Sequence, residues 1–469
     1  MTRTEGRPAE RAKGGTWRGL LGPRYLGTST VLAGGVLLYA TNEFITISLL
    51  PSAVADIGGQ RFYAWVTTVY LVASVVAATT VNPMVVRLGP RWSYLGALAV
   101  FVAGTAACMA APTMEVLLVG RTVQGMGGGV LAGLGYAVIN AALPPNLWTK
   151  ASALVSAMWG VGTLLGPAAG GLFAQFGMWR WAFGVLAVAT AAMALLVPLA
   201  LPARSAHRKP APFRIPIWSL LSLGAAALSV SVAGIPRNHV ATAALLVLAL
   251  ALVAVFLVVD RRASVTVLPA SAFRPGPLKW MYLTLGLLMA ETMVDMYVPL
   301  FGQRLAHLVP VAAGFLGVAL SVGWTVAEIA SASLRKVSTT VRVVAMAPLV
   351  MAVGLGLAAA TMVDDAAVAL IVVWVAALLI TGAGVGMAWP HLSAWVMGGV
   401  GDPAEGGTAA AAINTVQLIC GAFGAGLAGV VVNLTDRGDA TAARWLFGVF
   451  AVLAVVGVAA SSRASRGRR

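Results

Sequence analysis

Apolar and polar residues alternate along the chain in long blocks rather than at single positions. Fourteen predominantly apolar runs are separated by short polar breaks. A helix of about 20 apolar residues crosses the hydrocarbon core of a bilayer, so the pattern predicts an all-α integral membrane protein with 14 transmembrane helices. The runs cover residues 28–50, 62–85, 94–112, 116–140, 151–174, 181–201, 216–235, 240–259, 280–302, 309–332, 342–362, 366–388, 408–433 and 443–461.

The breaks divide these spans into groups of six, two and six. Basic, proline-containing linkers flank the central pair. The predicted parts are an N-terminal tail over 1–27, a six-helix bundle over 28–201, a segment over 202–279 with two extra spans (216–235 and 240–259), a second six-helix bundle over 280–461, and a basic tail over 462–469. Two six-helix halves with a substrate site between them near mid-membrane are typical of secondary transporters.

Composition excludes a soluble protein, because 59% of residues are hydrophobic and only 10% are charged. Soluble domains have about a quarter of their residues charged. The formal charge of +16 would suit a nucleic-acid-binding protein. Most Lys and Arg residues lie in alternate breaks, however, which is the pattern of cytoplasmic loops. We therefore expect a lipid bilayer and no nucleic acid as partner, with both termini in the cytoplasm.

Five ionisable residues lie inside the predicted spans: Glu43, Arg121, Glu291, Asp295 and Glu328. Each costs at least about 2.5 kcal/mol at the bilayer centre, so each needs a partner, water or a function. Glu291 and Asp295 are four residues apart, which places them on one helix face, and neighbouring carboxylates do not readily ionise together. The acids are therefore candidates for proton uptake and release. The alternative interpretation is that they are structural carboxylates.

Arg121 and Glu328 have other expected roles. The Arg121 guanidinium stays protonated, so it needs a carboxylate, a carbonyl or water, and it would bias the proton affinity of a nearby acid. Glu328 lies near the end of its span, before basic residues, and is assigned to a cytoplasmic gate. Polar and aromatic residues within the spans are candidates for a substrate cavity, although single residues of this kind more often serve packing. They are Asn42, Tyr70, Gln124, Tyr136, Asn140, Trp324, Asn414 and Gln417.

A glycine-rich stretch lies in the fifth span. Gly162, Gly166 and Gly170 are four residues apart and share one helix face, on which a neighbouring helix can pack at near-backbone contact. Pro167 removes one helical hydrogen bond, and Gly171 closes the stretch. We interpret it as a kinked seam on which another helix rests or rocks. Ordinary packing of small residues is the alternative.

The sequence contains no nucleotide-binding loop of the Gly-x-x-x-x-Gly-Lys-Ser/Thr type, no metal-ligand cluster and no catalytic-triad spacing. We therefore expect the protein not to be an enzyme and to use no cofactor. Any energy input is expected to come from an ion gradient.

Several stretches together resemble the major facilitator superfamily, specifically its fourteen-span drug:proton antiporters, and are most similar to actinobacterial or mycobacterial multidrug exporters. The likeness covers residues 25–461 and implies the major facilitator fold in the plasma (inner) membrane of a bacterium. The stretches are the fifth-span motif over 162–171, the fourth-span Arg-Thr-Val-Gln-Gly-Met-Gly-Gly from Arg121, the loop Arg87-Leu-Gly89-Pro-Arg91, and segments 382–390, 412–418 and 421–424.

The resemblance implies roles for two of these stretches and also shows two departures. The fifth-span motif is the antiporter signature, and the loop from Arg87 to Arg91 belongs to the cytoplasmic gate. Asn42 stands where the first span of the family has an aspartate, with Glu43 one residue later. Val86 replaces the acid of the loop motif, so the charge network of the gate must use another acid, such as Glu328 or Asp260.

We expect a secondary exporter that exchanges external protons for internal amphipathic molecules by alternating access, acting as a monomer. Acids outnumber Arg121 within the spans, which favours cationic or neutral lipophilic substrates. An exporter of an endogenous lipid or metabolite is the main alternative. A symporting importer and a non-transporting membrane sensor are further alternatives; the fifth-span signature opposes the importer, and the charged residues within the spans oppose the sensor.

Overall fold

The computed structural model describes residues 16–144, 147–201, 215–236, 238–334, 336–399, 405–435 and 438–466. All regular structure in these ranges is helical. Their fourteen principal helices follow the order of the predicted spans. They are α1 Leu26–Ile57, α2 Trp65–Ala78, α3 Val81–Met109, α4 Met114–Ala137, α5 Trp148–Gln175, α6 Trp179–Ala200, α7 Ile217–Ala233, α8 His239–Arg262, α9 Leu278–Ala306, α10 Pro310–Ala332, α11 Val337–Thr361, α12 Val368–Gly398, α13 Gly406–Asn433 and α14 Asp439–Arg466.

Among the described residues, 12 helices are long and apolar enough to cross a membrane. Neither α4 nor α7 is one of the 12. The α7 helix is apolar but has 17 residues, and α4 contains Arg121, Gln124 and several glycines, which lower its mean hydropathy. The prediction of an all-helical membrane protein is confirmed. Membrane crossing by all fourteen helices stays a prediction.

The structure describes only some of the residues at the ends of the predicted parts. Residues 1–15 of the predicted N-terminal tail and residues 202–214 of the predicted linker lie outside the described residues. At the other terminus, α14 continues to Arg466, so the predicted tail over 462–469 begins inside a helix.

Close helix contacts depend on glycine at particular points. A Cβ atom at Gly382 or Gly386 of α12 would overlap the backbone carbonyl oxygens of Leu320 and Trp324 on α10. Glycine therefore lets α10 and α12 pack backbone to backbone. This contact fixes the position of the Trp324 backbone, and therefore the point from which the Trp324 side chain projects, relative to α12.

The two six-helix halves, α1–α6 and α9–α14, meet at one end of the bundle. We call this end the Ile57 end, because α1 finishes there at Ile57. The opposite end, where α3 is broken at Gly89 close to Arg87, is the Arg87 end.

Side chains of both halves bind each other at the Ile57 end. The Tyr63 hydroxyl donates to the Met296 carbonyl at 3.2 Å, and the Tyr63 ring stacks on Tyr297 with 4.8 Å between ring centres. Arg304 Nη2 donates to Gln60 Oε1 at 3.3 Å. These contacts close the gap between the halves at this end.

The α7 helix lies against both halves, between α2 and α13. Trp65 Nε1 on α2 donates to the Ser231 carbonyl at 3.0 Å, and the Ser231 hydroxyl donates to Thr68 Oγ1 at 3.0 Å. An ideal Cβ at Gly426 of α13 would lie 2.9 Å from Ser231 Oγ. The first of the two extra helices is thus part of the bundle, and α8 packs on α7.

Candidate functional site

Arg121 lies at the centre of a buried polar cluster in the first half and is 1% exposed. Its Nη1 donates to Gln124 Oε1 at 2.6 Å and to Asn42 Oδ1 at 3.3 Å, and its Nε donates to the Val66 carbonyl at 3.2 Å. The guanidinium carbon is 4.0 Å from the centre of the Tyr70 ring. The arginine is therefore held by neutral oxygens and an aromatic face.

The charge of Arg121 is not balanced by a carboxylate in contact with it. In the described part of the chain, none of the ion pairs within 4.0 Å includes Arg121. Asn42, at the position where the family pattern has an aspartate, offers a neutral amide oxygen instead. Arg121 is thus a fixed positive charge whose field acts on more distant acids, because screening is weak in a low-dielectric interior.

Glu43 is a carboxylate whose protonation can be influenced by the charge of Arg121. One helical step of about 100° separates its direction from that of Asn42. Asn42 is fully buried against Arg121, whereas Glu43 is half-buried. Glu43 lies within electrostatic range of Arg121 and of Asp295 in the second half. It therefore interacts electrostatically with charged groups of both halves.

Glu291 and Asp295 point to different neighbouring helices. An ideal Cβ at Gly457 of α14 would lie 3.7 Å from Glu291 Oε1, whereas one at Gly317 of α10 would lie 3.0 Å from Asp295 Oδ1. The two carboxylates therefore lie against different helices, although they are four residues apart in the sequence.

Pro299 explains this difference. The α9 helix is interrupted by a 3-10 segment over Met293–Tyr297. Pro299 has no N–H to donate to the carbonyl four residues earlier, which belongs to Asp295, and Val298 N–H donates to that carbonyl instead. Winding at three rather than 3.6 residues per turn rotates Asp295 away from the direction of Glu291.

The two acids consequently have different surroundings. Glu291 is fully buried within the second half, and neither of its carboxylate oxygens has a hydrogen-bond partner. Asp295 is half-buried, and its Oδ1 has no partner either. The electrostatic influence of Glu43 in the first half reaches Asp295, whereas Glu291 is enclosed by its own half.

Residues 32–425 match the family model of the Major Facilitator Superfamily. The chain belongs to this superfamily. Over 462 residues it is 62% identical to a probable multidrug-efflux transporter of Mycobacterium tuberculosis (strain H37Rv), which covers 96% of this chain and 97% of that protein. The predicted family is confirmed. Members of the superfamily are carriers, so this multi-pass membrane protein is a transporter and not an enzyme.

Solved structures of the superfamily share the fold at low sequence identity. The nucleoside transporter NupG matches with a TM-score of 0.65 and 14% identity, covering 94% of this chain and 99% of that chain. The xylose transporter XylE of E. coli, in an inward-open conformation, matches with a TM-score of 0.62 and 15% identity, covering 92% of this chain and 95% of that chain. These likenesses concern the fold alone.

The glycine seam of this transporter packs as its spacing predicts. Gly162, Gly166 and Gly170 all face α1. An ideal Cβ at Gly162 would lie 2.7 Å from Ala40 Cβ, and one at Gly170 would lie 2.6 Å from the Ile45 carbonyl oxygen. The expected close approach of a neighbouring helix is confirmed, and that helix is the one that carries Glu43.

The same helix also reaches the second half. An ideal Cβ at Gly171 would lie 2.7 Å from Val311 Cα on α10. An ideal Cβ at Gly314 of α10 would lie 3.4 Å from Pro167 Cβ and 3.3 Å from Ser48 Cβ on α1. The seam thus joins α1, α5 and α10 near the Ile57 end. Its role as a hinge stays a prediction.

The remaining predicted cavity residues are only partly placed. The side chains of Tyr136 and Asn140 lie outside the described residues. Asn414 is exposed and Gln417 half-buried, three residues apart on α13. Residues three apart lie near one another on a helix surface, so these two amides border a common region.

The predicted gate residues are found at the Arg87 end. Arg87 is exposed, and Gly89 has φ +79°, which breaks α3 before Pro90. Arg91 Nε donates to the Leu201 carbonyl at 2.9 Å and so binds the end of its own half.

Neither acid proposed for the gate network pairs with this loop motif. Glu328 Oε2 accepts from Trp324 Nε1 at 3.0 Å. Asp260 is fully buried, and its oxygens accept from the Ser219 hydroxyl at 2.8 Å and from the Val267 and Leu268 N–H groups. Asp260 therefore orders the segment after α8. A part for Asp260 or Glu328 in the gate stays a prediction.

Sequence inspection missed three side chains of the site. The Tyr39 ring stacks on Tyr70 at 5.8 Å and meets the edge of Trp159 at 5.4 Å, and Thr105 Oγ1 accepts from Gln124 Nε2 at 2.9 Å. The position of Tyr39, one helical turn before Glu43, is the signal that could have identified it. Trp159 and Thr105 lie on other helices, so no spacing connects them to Arg121.

Proposed function

We propose that this transporter is a proton-coupled multidrug exporter of the drug:proton antiport type. It moves amphipathic cationic or neutral lipophilic compounds out of a bacterial cell across the plasma membrane by alternating access, as a monomer, driven by the proton gradient without a cofactor. In this proposal all fourteen helices span the bilayer as 6+2+6, with both termini in the cytoplasm. The efflux function named for the Mycobacterium tuberculosis relative supports it.

The carrying observation is the pair formed by Glu43 and Asp295. Both acids are half-buried, one belongs to each half, and they lie within electrostatic range of each other. Two negative charges that interact across the two halves attract a cation and repel each other when no cation is bound. Protons can neutralise the two carboxylates in place of the cation. This exchange of a cation for protons is what an antiporter needs.

The proposed cycle follows from this charge balance. A cationic substrate enters from the cytoplasm and is held by Glu43 and Asp295. After the halves open to the outside, external protons bind these carboxylates, and the loss of negative charge releases the substrate. The protonated carrier then returns. Arg121, a fixed charge near Glu43, favours its deprotonated form and so assists release of the proton to the cytoplasm.

If the Ile57 end faces the outside of the cell, this conformation corresponds to the stage at which substrate enters from the cytoplasm. The halves are joined there by Tyr63 with Tyr297. Along one face of α10, Gly314 is buried, while Ser321 and Glu328, seven and fourteen residues later, are half-buried. Exposure thus increases toward the Arg87 end, as expected for a carrier open to the cytoplasm.

A reversible cross-link at the Ile57 end is expected to stop transport. Cysteines replacing Ser48 and Gly314 would have Cβ atoms about 3.3 Å apart, close to disulfide geometry. In a background with Cys108 and Cys420 replaced by alanine, we expect oxidation to reduce transport more than about tenfold, because the halves cannot separate. Dithiothreitol should restore it, and Ser48→Cys or Gly314→Cys alone should not respond. Unchanged transport by the cross-linked protein would contradict alternating access at this end.

The overall proposal is tested with purified protein in liposomes under an imposed pH gradient. The panel contains lipophilic cations, such as tetraphenylphosphonium and ethidium, and neutral lipophilic drugs. We expect substrate movement against the direction of proton movement, and its loss when an ionophore collapses the gradient. Folded protein that transports no member of the panel would favour an exporter of an endogenous lipid or metabolite.

A further inference from the structure

Glu328 and two tryptophans form a group apart from the central acids. We call Trp324, Glu328 and Trp389 the tryptophan–glutamate cluster. Residues 314, 321 and 328 recur at intervals of seven and so share one face of α10. Gly314 on this face contacts α1 and α5 of the other half. Glu328 therefore lies on the same face of α10 as Gly314, and it is half-buried.

The geometry of the cluster is held by packing and one hydrogen bond. Trp324 Nε1 donates to Glu328 Oε2 at 3.0 Å. The rings of Trp324 and Trp389 have centres 5.4 Å apart and planes tilted by 55°. Gly382 and Gly386 hold the backbone of α12 against that of α10, so both tryptophans are fixed relative to the carboxylate.

The cluster contains the elements of a cation site, and within the described part of the chain no basic side chain is seen in contact with it. Basic side chains lie over the rings of Trp17, Trp179 and Trp280, and none of the described cation–π contacts involves Trp324 or Trp389. Glu328 likewise takes part in none of the ion pairs within 4.0 Å found among the described residues. The aromatic faces and the carboxylate therefore remain available to an incoming cation.

We propose that the tryptophan–glutamate cluster is an entry site that binds lipophilic organic cations before they reach Glu43 and Asp295. Two aromatic faces suit the apolar body of such a ligand, and the carboxylate suits its charge. Along α10 the cluster begins seven residues from Gly317, which contacts Asp295, a separation of about 10 Å at 1.5 Å per residue. The inference rests on the proposed export function and adds a second site with a stated ligand class.

Equilibrium binding without any gradient tests this site. Tetraphenylphosphonium is the probe, and tetraphenylborate, of the same shape and opposite charge, is the matched ligand control. In lipid nanodiscs we expect Glu328→Gln to weaken tetraphenylphosphonium binding about tenfold and to lower the preference for the cation over the anion, the remaining preference being that of Glu43 and Asp295. Trp389→Leu should weaken binding of the cation about fivefold, and Trp389→Phe should recover most of it, because an aromatic face is restored.

Two protein controls separate a specific effect from general damage. Glu115→Gln removes an acid outside the cluster, and Trp181→Leu removes a tryptophan that is 56% exposed; both should bind tetraphenylphosphonium like wild type. Unchanged selectivity in Glu328→Gln, or absence of tetraphenylphosphonium binding by folded wild type, would overturn the entry site. Cation-selective binding that depends on Glu328, without transport driven by a pH gradient, would overturn proton antiport and leave the site intact.

Discussion

Asp295→Asn is expected to lower transport driven by a pH gradient more than about tenfold, equivalent to about 1.4 kcal/mol. The asparagine cannot exchange a proton, and it removes one of the two charges that interact across the two halves. Glu43→Gln should have a comparable effect, since Glu43 is the partner acid in the other half. The measurement is initial-rate uptake of tetraphenylphosphonium into proteoliposomes with an imposed gradient. Thermal stability of each variant is measured in parallel.

Glu291→Gln is the matched control for these two variants. Glu291 is four residues from Asp295 in the sequence, but it is enclosed by the second half and has no hydrogen-bond partner. An ionised carboxylate is expensive to bury without a partner, so a neutral amide should be tolerated there. We expect driven transport within about twofold of wild type. Loss of coupling in Glu291→Gln with retention in Asp295→Asn would reverse the assignment made from the break at Pro299.

Gly166→Ala should cause the largest loss of stability among single substitutions in the seam. Its Cβ would overlap Phe44 Cβ and lie 2.9 Å from Ile45 N on α1. Forcing the helices apart in a packed interior costs about 1–3 kcal/mol. Phe44 follows Glu43 directly, so the displacement also moves the acid relative to Arg121, and transport should fall more strongly than stability alone predicts. Thermal unfolding of the detergent-solubilised protein and gradient-driven uptake are the two measurements.

Gly160→Ala provides a control in the same helix. An ideal Cβ at Gly160 has no atom within 4 Å, six residues before Gly166. Replacing glycine by alanine at an unstrained helical position is neutral or stabilises by about 0.4–1 kcal/mol. We expect normal transport and an unchanged or raised melting temperature. If both substitutions destabilise equally, the tight contact with α1 is not the cause.

The helices and one of their contacts could be predicted because they depend on local patterns. An apolar run must form a helix in a bilayer, since its backbone groups have no other partners there. Glycines four apart place three bare positions on one face, and α1 packs there. Pro299 was also visible in the sequence, and it explains the 3-10 segment that redirects Asp295.

The direction in which a single polar side chain points could not be predicted from the sequence in the same way. Asn42 and Glu43 are adjacent, and the sequence does not state which one meets Arg121. The structure places Asn42 against the guanidinium and leaves Glu43 half-buried. Asp260 is an acidic residue of the type expected in a gate. In the structure, however, two backbone N–H groups of the following segment donate hydrogen bonds to its oxygens. Such assignments depend on atoms distant along the chain or on local loop geometry.

The sequence by itself determined that this protein is a helical membrane protein of the major facilitator superfamily, because hydropathy and motif spacing are properties of consecutive residues. It also determined where small residues permit close helix contact. Only the tertiary structure decided that α7 lies between α2 and α13, that Glu291 is fully buried while Asp295 is half-buried, and that Trp389 joins Trp324 and Glu328. The physical reason is that a helix fixes relative directions along one axis, whereas its rotation and its neighbours are set by packing against the other helices.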